Sequence, residues 1–173
     1  MLIETEDTLN PNVCNFYFDK TVLNYGDAEY ADQKTKNSSE LLQNILNVSG
    51  VVKVLLLPDM LFVEKENDAD WSFLRPQIMA EIVDYDFQKF HAFDFSKQDI
   101  MSQIEALIEA KIRPYLMRDG GNLAVLSFDN GVLKVHLQGR CHGCVHAAQT
   151  LKNAVESTLK KYLKSVSLVQ EEN

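Results

Sequence analysis

Apolar and polar positions along the first twenty residues fall into two short strand candidates, Leu2–Glu6 and Val13–Phe18, the second apolar and aromatic apart from Asn15. Asn10-Pro11-Asn12 between them has turn composition. Thr21–Leu23 offers a third short strand, and the polar stretch Asp27–Asn37 reads as loop. The period then changes to that of a helix, with Leu41, Leu42, Ile45, Leu46 and Val48 on one face. Ser38 or Ser39 can cap that helix and Gly50 can stop it. Val51–Leu57 is a near-continuous β-type run, Pro58-Asp59 a turn, and Leu61–Glu64 the returning strand of a hairpin. Asp70 caps a second helix running to Tyr85, with Leu74, Ile78, Ile82 and Phe87 at helical spacing. Pro76 falls early enough in it to be tolerated. Trp71 and Phe73 are expected to anchor this helix on the sheet.

Phe87–Ser96 has no clean period, and the domain boundary is placed there. The expected organisation is a first domain over 1–86, a linker over 87–96 and a second domain over 97–173. Phe90, Phe93 and Phe95 are unusually apolar for a solvated tether, so the linker either packs on a domain or forms part of a partner-binding surface. Ser96 caps a helix to Met117 with Ile100, Ile104, Leu107, Ile108, Ile112 and Leu116 on one face, and Pro114 should kink its last turn. Asp119-Gly120-Gly121 turns into a strand over Asn122–Phe128, and Asn130-Gly131 is a strong hairpin signal leading to Val132–Leu137. Val145–Leu163 reads as a helix with Ala148, Leu151, Val155, Leu159 and Tyr162 inward, before a last strand around Val166–Val169. The fold class is α+β: two small domains, each a small mixed or antiparallel sheet packed with helices.

Composition narrows the class. An apolar content of 46% over 173 residues is enough for buried cores. No apolar run approaches the roughly 20 residues that span a bilayer. Residues 1–96 carry 7 Lys+Arg and 17 Asp+Glu, a net −10, while 97–173 carry 10 and 8, a net +2. With an acidic front half and no basic stripe, neither nucleic acid nor membrane is expected as a partner. The acidic N-terminus shows neither a signal nor a transit peptide pattern. Three cysteines make no disulfide framework, and two of them share one tight motif, which suits a reducing compartment.

That motif is Gly139-Arg140-Cys141-His142-Gly143-Cys144, set between a strand and a helix. A helix N-terminus and Arg140 favour thiolate over thiol and would stabilise an anionic cluster. Gly139 and Gly143 let the backbone turn around a metal. Iron–sulfur, zinc and redox chemistry all use such a pair, and a pair without chemistry remains open. A tetrathiolate site needs four ligands and the motif supplies two, a shortfall that a symmetric dimer sharing one centre removes. Cys14 lies among apolar neighbours and reads as an inert buried thiol. His142 and His146 with the two cysteines would make a Cys₂His₂ zinc site, but all four fall within six residues, too cramped for the usual spacing. The unit is too small for a thioredoxin-like fold. No catalytic base, nucleophile or oxyanion arrangement is evident, so no enzyme is expected.

Several motifs together resemble a known family. Ile112-Arg113-Pro114, Asp119-Gly120-Gly121, the hairpin, Gly139-x-Cys141-x-x-Cys144 and Thr150-Leu151-Lys152 are similar to the NifU C-terminal-type domain of Nfu iron–sulfur scaffold proteins. Ile3-Glu4-Thr5-Glu6 with Asn10-Pro11, Gly50-Val51, and Asp68-Ala69-Asp70-Trp71 resemble the N-terminal domain that accompanies it. Two departures stand out: Val145-His146-Ala147 where the family usually has Pro-Ser-Ser, and Asn122 where an acidic residue is commoner. The resemblance implies a carrier binding a [4Fe–4S] cluster through Cys141 and Cys144, with [2Fe–2S] or zinc the alternative. It also implies a cluster-bridged homodimer, cluster donors and apo iron–sulfur clients as partners. The alternative function is a thiol–disulfide oxidoreductase using the same pair. The expected location is a bacterial cytoplasm, or the mitochondrial matrix if a transit peptide has been removed.

Overall fold

The strand segments of the first half pair into one antiparallel sheet. The computed structural model describes residues 1–92, 94–139 and 145–172 (backbone alone at 91, 92, 96 and 145–147) and divides into two units, Met1–Asp99 and Ile100–Asn173. In the first unit β1 (Ile3–Asp7), β2 (Val13–Phe18), β3 (Glu29–Asp32), β4 (Val51–Leu57) and β5 (Met60–Lys65) lie in the order β1-β2-β5-β4-β3, with every neighbouring pair antiparallel. Alternation puts Cys14 and Phe16 of β2, Val54 and Leu56 of β4, and Leu61 and Val63 of β5 on one face. Helices α1 (Glu40–Leu46) and α2 (Trp71–Asp84) cover that face with Leu41, Leu42, Ile45, Leu74, Ile78 and Ile82. All of these side chains are buried, and each large one contributes roughly 1.5–3 kcal/mol. The helices start at their caps: Ser39 Oγ accepts from Leu42 N at 3.3 Å, and Asp70 Oδ1 accepts from Ser72 N at 2.8 Å.

The first unit departs from the sequence pattern in several places. Thr21–Leu23 is not a strand; Val22 N donates to Pro58 O at 2.8 Å and the side chains of Val22 and Leu23 pack on the core from a loop. The stretch read as loop contains β3, paired with Lys53–Leu56, where Ala31 is fully buried. Of the two aromatics at the start of α2, Trp71 docks, its Nε1 donating to Pro11 O at 3.0 Å, but Phe73 is 72% exposed. Residues Phe87–Ala92 and Phe95–Lys97 form 3₁₀ turns belonging to the first unit. Phe90 is buried in the core, and Phe87 and Phe95 pack against it; Phe93 lies outside the described residues.

The second unit opens with α3 (Ile100–Leu107), a π-helical turn (Ile108–Ile112) and α4 (Arg113–Arg118), where one kinked helix from Ser96 is expected. The reason is Pro114, which has no N–H to continue the ladder. Arg113 N reaches five residues back to Ile108 O, and the widened turn restarts the helix with Pro114 in its first turn, where no N–H is needed. Strands β6 (Gly121–Asp129) and β7 (Val132–Gly139) pair across Asn130-Gly131, whose φ values of 47° and 82° suit a tight hairpin. A register shift between Val125 and Ser127 leaves Leu126 half exposed. Helix α5 (Val145–Tyr162) leads to β8 (Leu168–Glu171), which lies parallel to β7. Leu123, Leu133, Val135, Leu137 and Val169 of this sheet are buried, as are Val155, Leu159 and Tyr162 of α5. Glu156 ties α5 to β8, accepting from Val169 N at 2.9 Å and from Lys160 Nζ at 2.6 Å; the lysine first, then the backbone N–H, lowers its carboxyl pKa.

One buried charge makes the first unit pH-sensitive. Glu29 is fully buried; Oε1 accepts from Ser39 N at 2.5 Å, and Oε2 has no partner among the described residues. Burial pushes its carboxyl up from 4.5 to about 7, against the opposing hydrogen bonds from Ser39. The unfolded chain releases this proton near 4.5 while the folded chain holds it to about 7. The stability from Glu29 is therefore fully present below the lower value and is lost as pH rises to the upper, roughly 3 kcal/mol in all. Urea unfolding followed by the fluorescence of Trp71, the single tryptophan, should show this loss between about pH 4.5 and about pH 7. Glu29→Gln should flatten it; an unchanged pH slope in that variant refutes the assignment.

Candidate metal centre

The best-defined geometry beside the cysteine motif is a backbone contact. Gly139 ends β7 opposite Gly121, and its φ is +78°. A Cβ added there would lie 2.5 Å from Gly120 O and 3.2 Å from Gly121 Cα. Backbone meets backbone at that point, and only glycine fits. The Asp119-Gly120-Gly121 turn is thus packed against the last residue of the strand that leads into the motif. Arg140, Cys141, His142, Gly143 and Cys144 lie outside the described residues, and they join Gly139 to Val145, the first residue of α5. The expected strand–motif–helix order stands in the elements on either side.

A polar cluster fixes the other side of the turn. Arg113 Nε binds Glu109 Oε2 at 2.6 Å, and its Nη1 donates to Leu123 O at 3.1 Å and to Asn122 Oδ1. The same Asn122 oxygen accepts from Leu123 N at 2.8 Å. One guanidinium therefore joins the π-helical turn, the start of α4 and the start of β6, immediately beside Gly121. The pair with Glu109 is half-buried, with side chains 26% and 27% exposed, so its geometry matters more than that of a fully solvated pair. Asn122, a departure from the family pattern, fills the acceptor position with a neutral amide. Sequence spacing carries no signal for this arrangement beyond the motif residues themselves.

Cys14 sits elsewhere. It is fully buried in β2, its Sγ is 3.8 Å from Asn15 O, and burial pushes its thiol pKa up. A raised pKa in an apolar core makes a poor ligand and a poor nucleophile. The side chain of His146, like His142, is outside the described residues. Among the described residues, no three of the His, Cys, Asp and Glu side chains gather as a metal site.

Comparison with known proteins covers both units. Residues 3–89 match the family described as "Scaffold protein Nfu/NifU N terminal", and residues 104–170 match the "NifU-like domain" family. The chain is 33% identical over 187 residues to NifU-like protein 4, mitochondrial, of Arabidopsis thaliana, covering 99% of this chain and 66% of that protein. It is 30% identical over 182 residues to the NFU1 iron-sulfur cluster scaffold homolog, mitochondrial, of Homo sapiens, covering 99% and 72%. The chain thus spans about two thirds of the length of these relatives. A solution structure of a NifU-like protein from Saccharomyces cerevisiae overlays with a TM-score of 0.46 at 24% identity, over 56% of this chain and 86% of that one. The fold is α+β, with two sheet-and-helix units. The chain belongs to the Nfu/NifU family of scaffold proteins. Its named relatives are scaffolds rather than enzymes.

Gly139→Ala tests the backbone contact. A side chain at this left-handed φ costs about 1 kcal/mol, and displacing the Gly120 carbonyl adds to it, for an expected loss of at least about 2 kcal/mol. Calorimetry should show a lowered transition for the second unit, with the transition of the first unit unmoved. Wild-type stability in this variant refutes the close approach.

Proposed function

We propose that the protein is an iron–sulfur cluster carrier that holds a [4Fe–4S] cluster on the thiolates of Cys141 and Cys144. The observation that carries this reading is the NifU-like match over residues 104–170, which spans both cysteines, alongside relatives named as iron-sulfur cluster scaffolds. The setting supports it: a strand end fixed by backbone packing on one side and the N-terminus of an 18-residue helix on the other. Helix dipole and free backbone N–H groups favour thiolates and an anionic cluster. Two thiolates from each of two chains complete four ligands, so the cluster bridges a homodimer. Either chain alone chelates it weakly, and release to an apo-protein proceeds as the client's thiolates replace these one at a time. The cluster is cargo, accepted from a donor protein and delivered to apo iron–sulfur clients. The relatives' names place them in mitochondria, which favours the matrix over the bacterial cytoplasm expected first.

Anaerobic reconstitution of the purified chain tests the ligands. Iron and sulfide in equal amounts, with a [4Fe–4S] Mössbauer signature, are expected for the wild type, and almost none for Cys141→Ser or Cys144→Ser. Cys14→Ser should keep full occupancy. A reversible Cys141–Cys144 disulfide without metal would establish the oxidoreductase instead, and bound zinc an interaction module. Loss of the cluster in Cys14→Ser alone would overturn the two-cysteine assignment.

A further inference from the structure

The outward face of α2 carries an apolar row with nothing of the first unit covering it. Phe73 is 72% exposed and Val83 56%, and Pro76 and Ala80 are exposed between them. The four are spaced by three, four and three residues, which makes them neighbours along one helical ridge about 15 Å long. Burying Phe73 alone would remove a large aromatic surface from water, so its exposure at the N-terminal end of a continuous row differs from scattered single apolar residues. The inward face of the same helix is also apolar, through Leu74, Ile78 and Ile82, so the helix has two apolar sides and the first unit uses one.

Carboxylates stand at both ends of the row. Exposed Glu66, Asp68 and Asp70 precede the helix, exposed Asp84 is its last residue, and exposed Asp86 follows it. The last turn contains no basic residue, and the helix dipole there is itself negative. The cations near the helix are engaged inside the unit: Lys65 with Asn12 and the Glu66 carbonyl, Arg75 with Asp7, and Lys89 with Glu40 at 2.8 Å. None of them is one of the four row residues.

We propose that this face of α2 docks a basic amphipathic helix of a partner protein, one whose apolar row is flanked at both ends by Lys or Arg. The apolar ridge supplies burial, and the acidic ends offset the partner's charges and relieve the unfavourable carboxylates at the helix C-terminus. A second copy of this chain would bring another acidic frame against the first and is disfavoured. Anionic lipid and nucleic acid are repelled for the same reason. This surface lies in the first unit and stands independently of the cluster reading.

The test uses the full apo chain and two synthetic 15-residue helical peptides. One has leucines at three- and four-residue spacing flanked by lysines; the other is identical with glutamates for the lysines. Binding is followed by Trp71 fluorescence and by anisotropy of the labelled peptide. The basic peptide should bind, lose affinity as salt rises, and lose at least tenfold in the Phe73→Ser, Val83→Ser double variant, whose far-ultraviolet dichroism should match the parent. Asp84→Asn should weaken the salt dependence without abolishing binding. The glutamate peptide should not bind. Equal binding of the two peptides, no binding of either, or an unaffected double variant overturns the proposal. So does apo self-association that the double variant abolishes, which would make a second copy the occupant.

Discussion

Gly139 touches Gly120 and Gly121 with no room for a single methyl between them, and the second unit is arranged so that this contact can form. The Asn130-Gly131 hairpin sets the register that brings the last residue of β7 opposite the first of β6. The π-helical turn absorbs Pro114 so that α4 ends at Arg118, two residues before Gly120. Arg113 then clamps Glu109, Asn122 and the Leu123 carbonyl around the same corner. Three elements of different type thus converge on the residue that precedes the cysteine motif. A carrier of the proposed kind would have to present its ligands with little rearrangement, because every degree of freedom lost on binding weakens a site with only two thiolates per chain.

The two units divide the physical tasks. The second has a slight positive balance and, in sequence, carries the Cys-x-x-Cys pair immediately before α5, where the proposed cluster would sit. The first, strongly acidic, has no described cluster of metal-binding side chains and buries its only cysteine. It does have an exposed apolar ridge on α2 in an acidic frame. On the proposed carrier reading, a cargo site nearly symmetric between donor and client gains directionality if recognition resides on a separate surface, a role open to the first unit.

Much of this was legible in the sequence wherever one local rule acted alone. Short runs of strand-type composition located β1, β2 and the β4–β5 hairpin; Ser39 and Asp70 announced their helices; Asn130-Gly131 fixed the second hairpin. Reading failed where tertiary contact overrode composition. The strand β3 is hidden because Glu29 and Asp32 look like loop residues, and the burial of Glu29 depends on a hydrogen bond to Ser39 ten positions away. Trp71 and Phe73 look equivalent in sequence, yet helical geometry turns one toward the Pro11 carbonyl and the other outward. The cysteine pair stood out from its spacing as a candidate, and its residues lie outside the described ones. The Gly120–Gly139 contact was not visible, because its two halves are separated by an entire hairpin and each glycine alone reads as a turn residue.

The central claim is that two chains share one cluster. Sedimentation equilibrium of the reconstituted protein, with iron and sulfide measured on the same sample, tests it most directly. The account predicts a dimer carrying about two irons per chain, dissociating and losing cluster on dilution, since a shared ligand set couples occupancy to protein concentration. A monomeric holo protein with about four irons per chain would contradict it and require further ligands within a single chain.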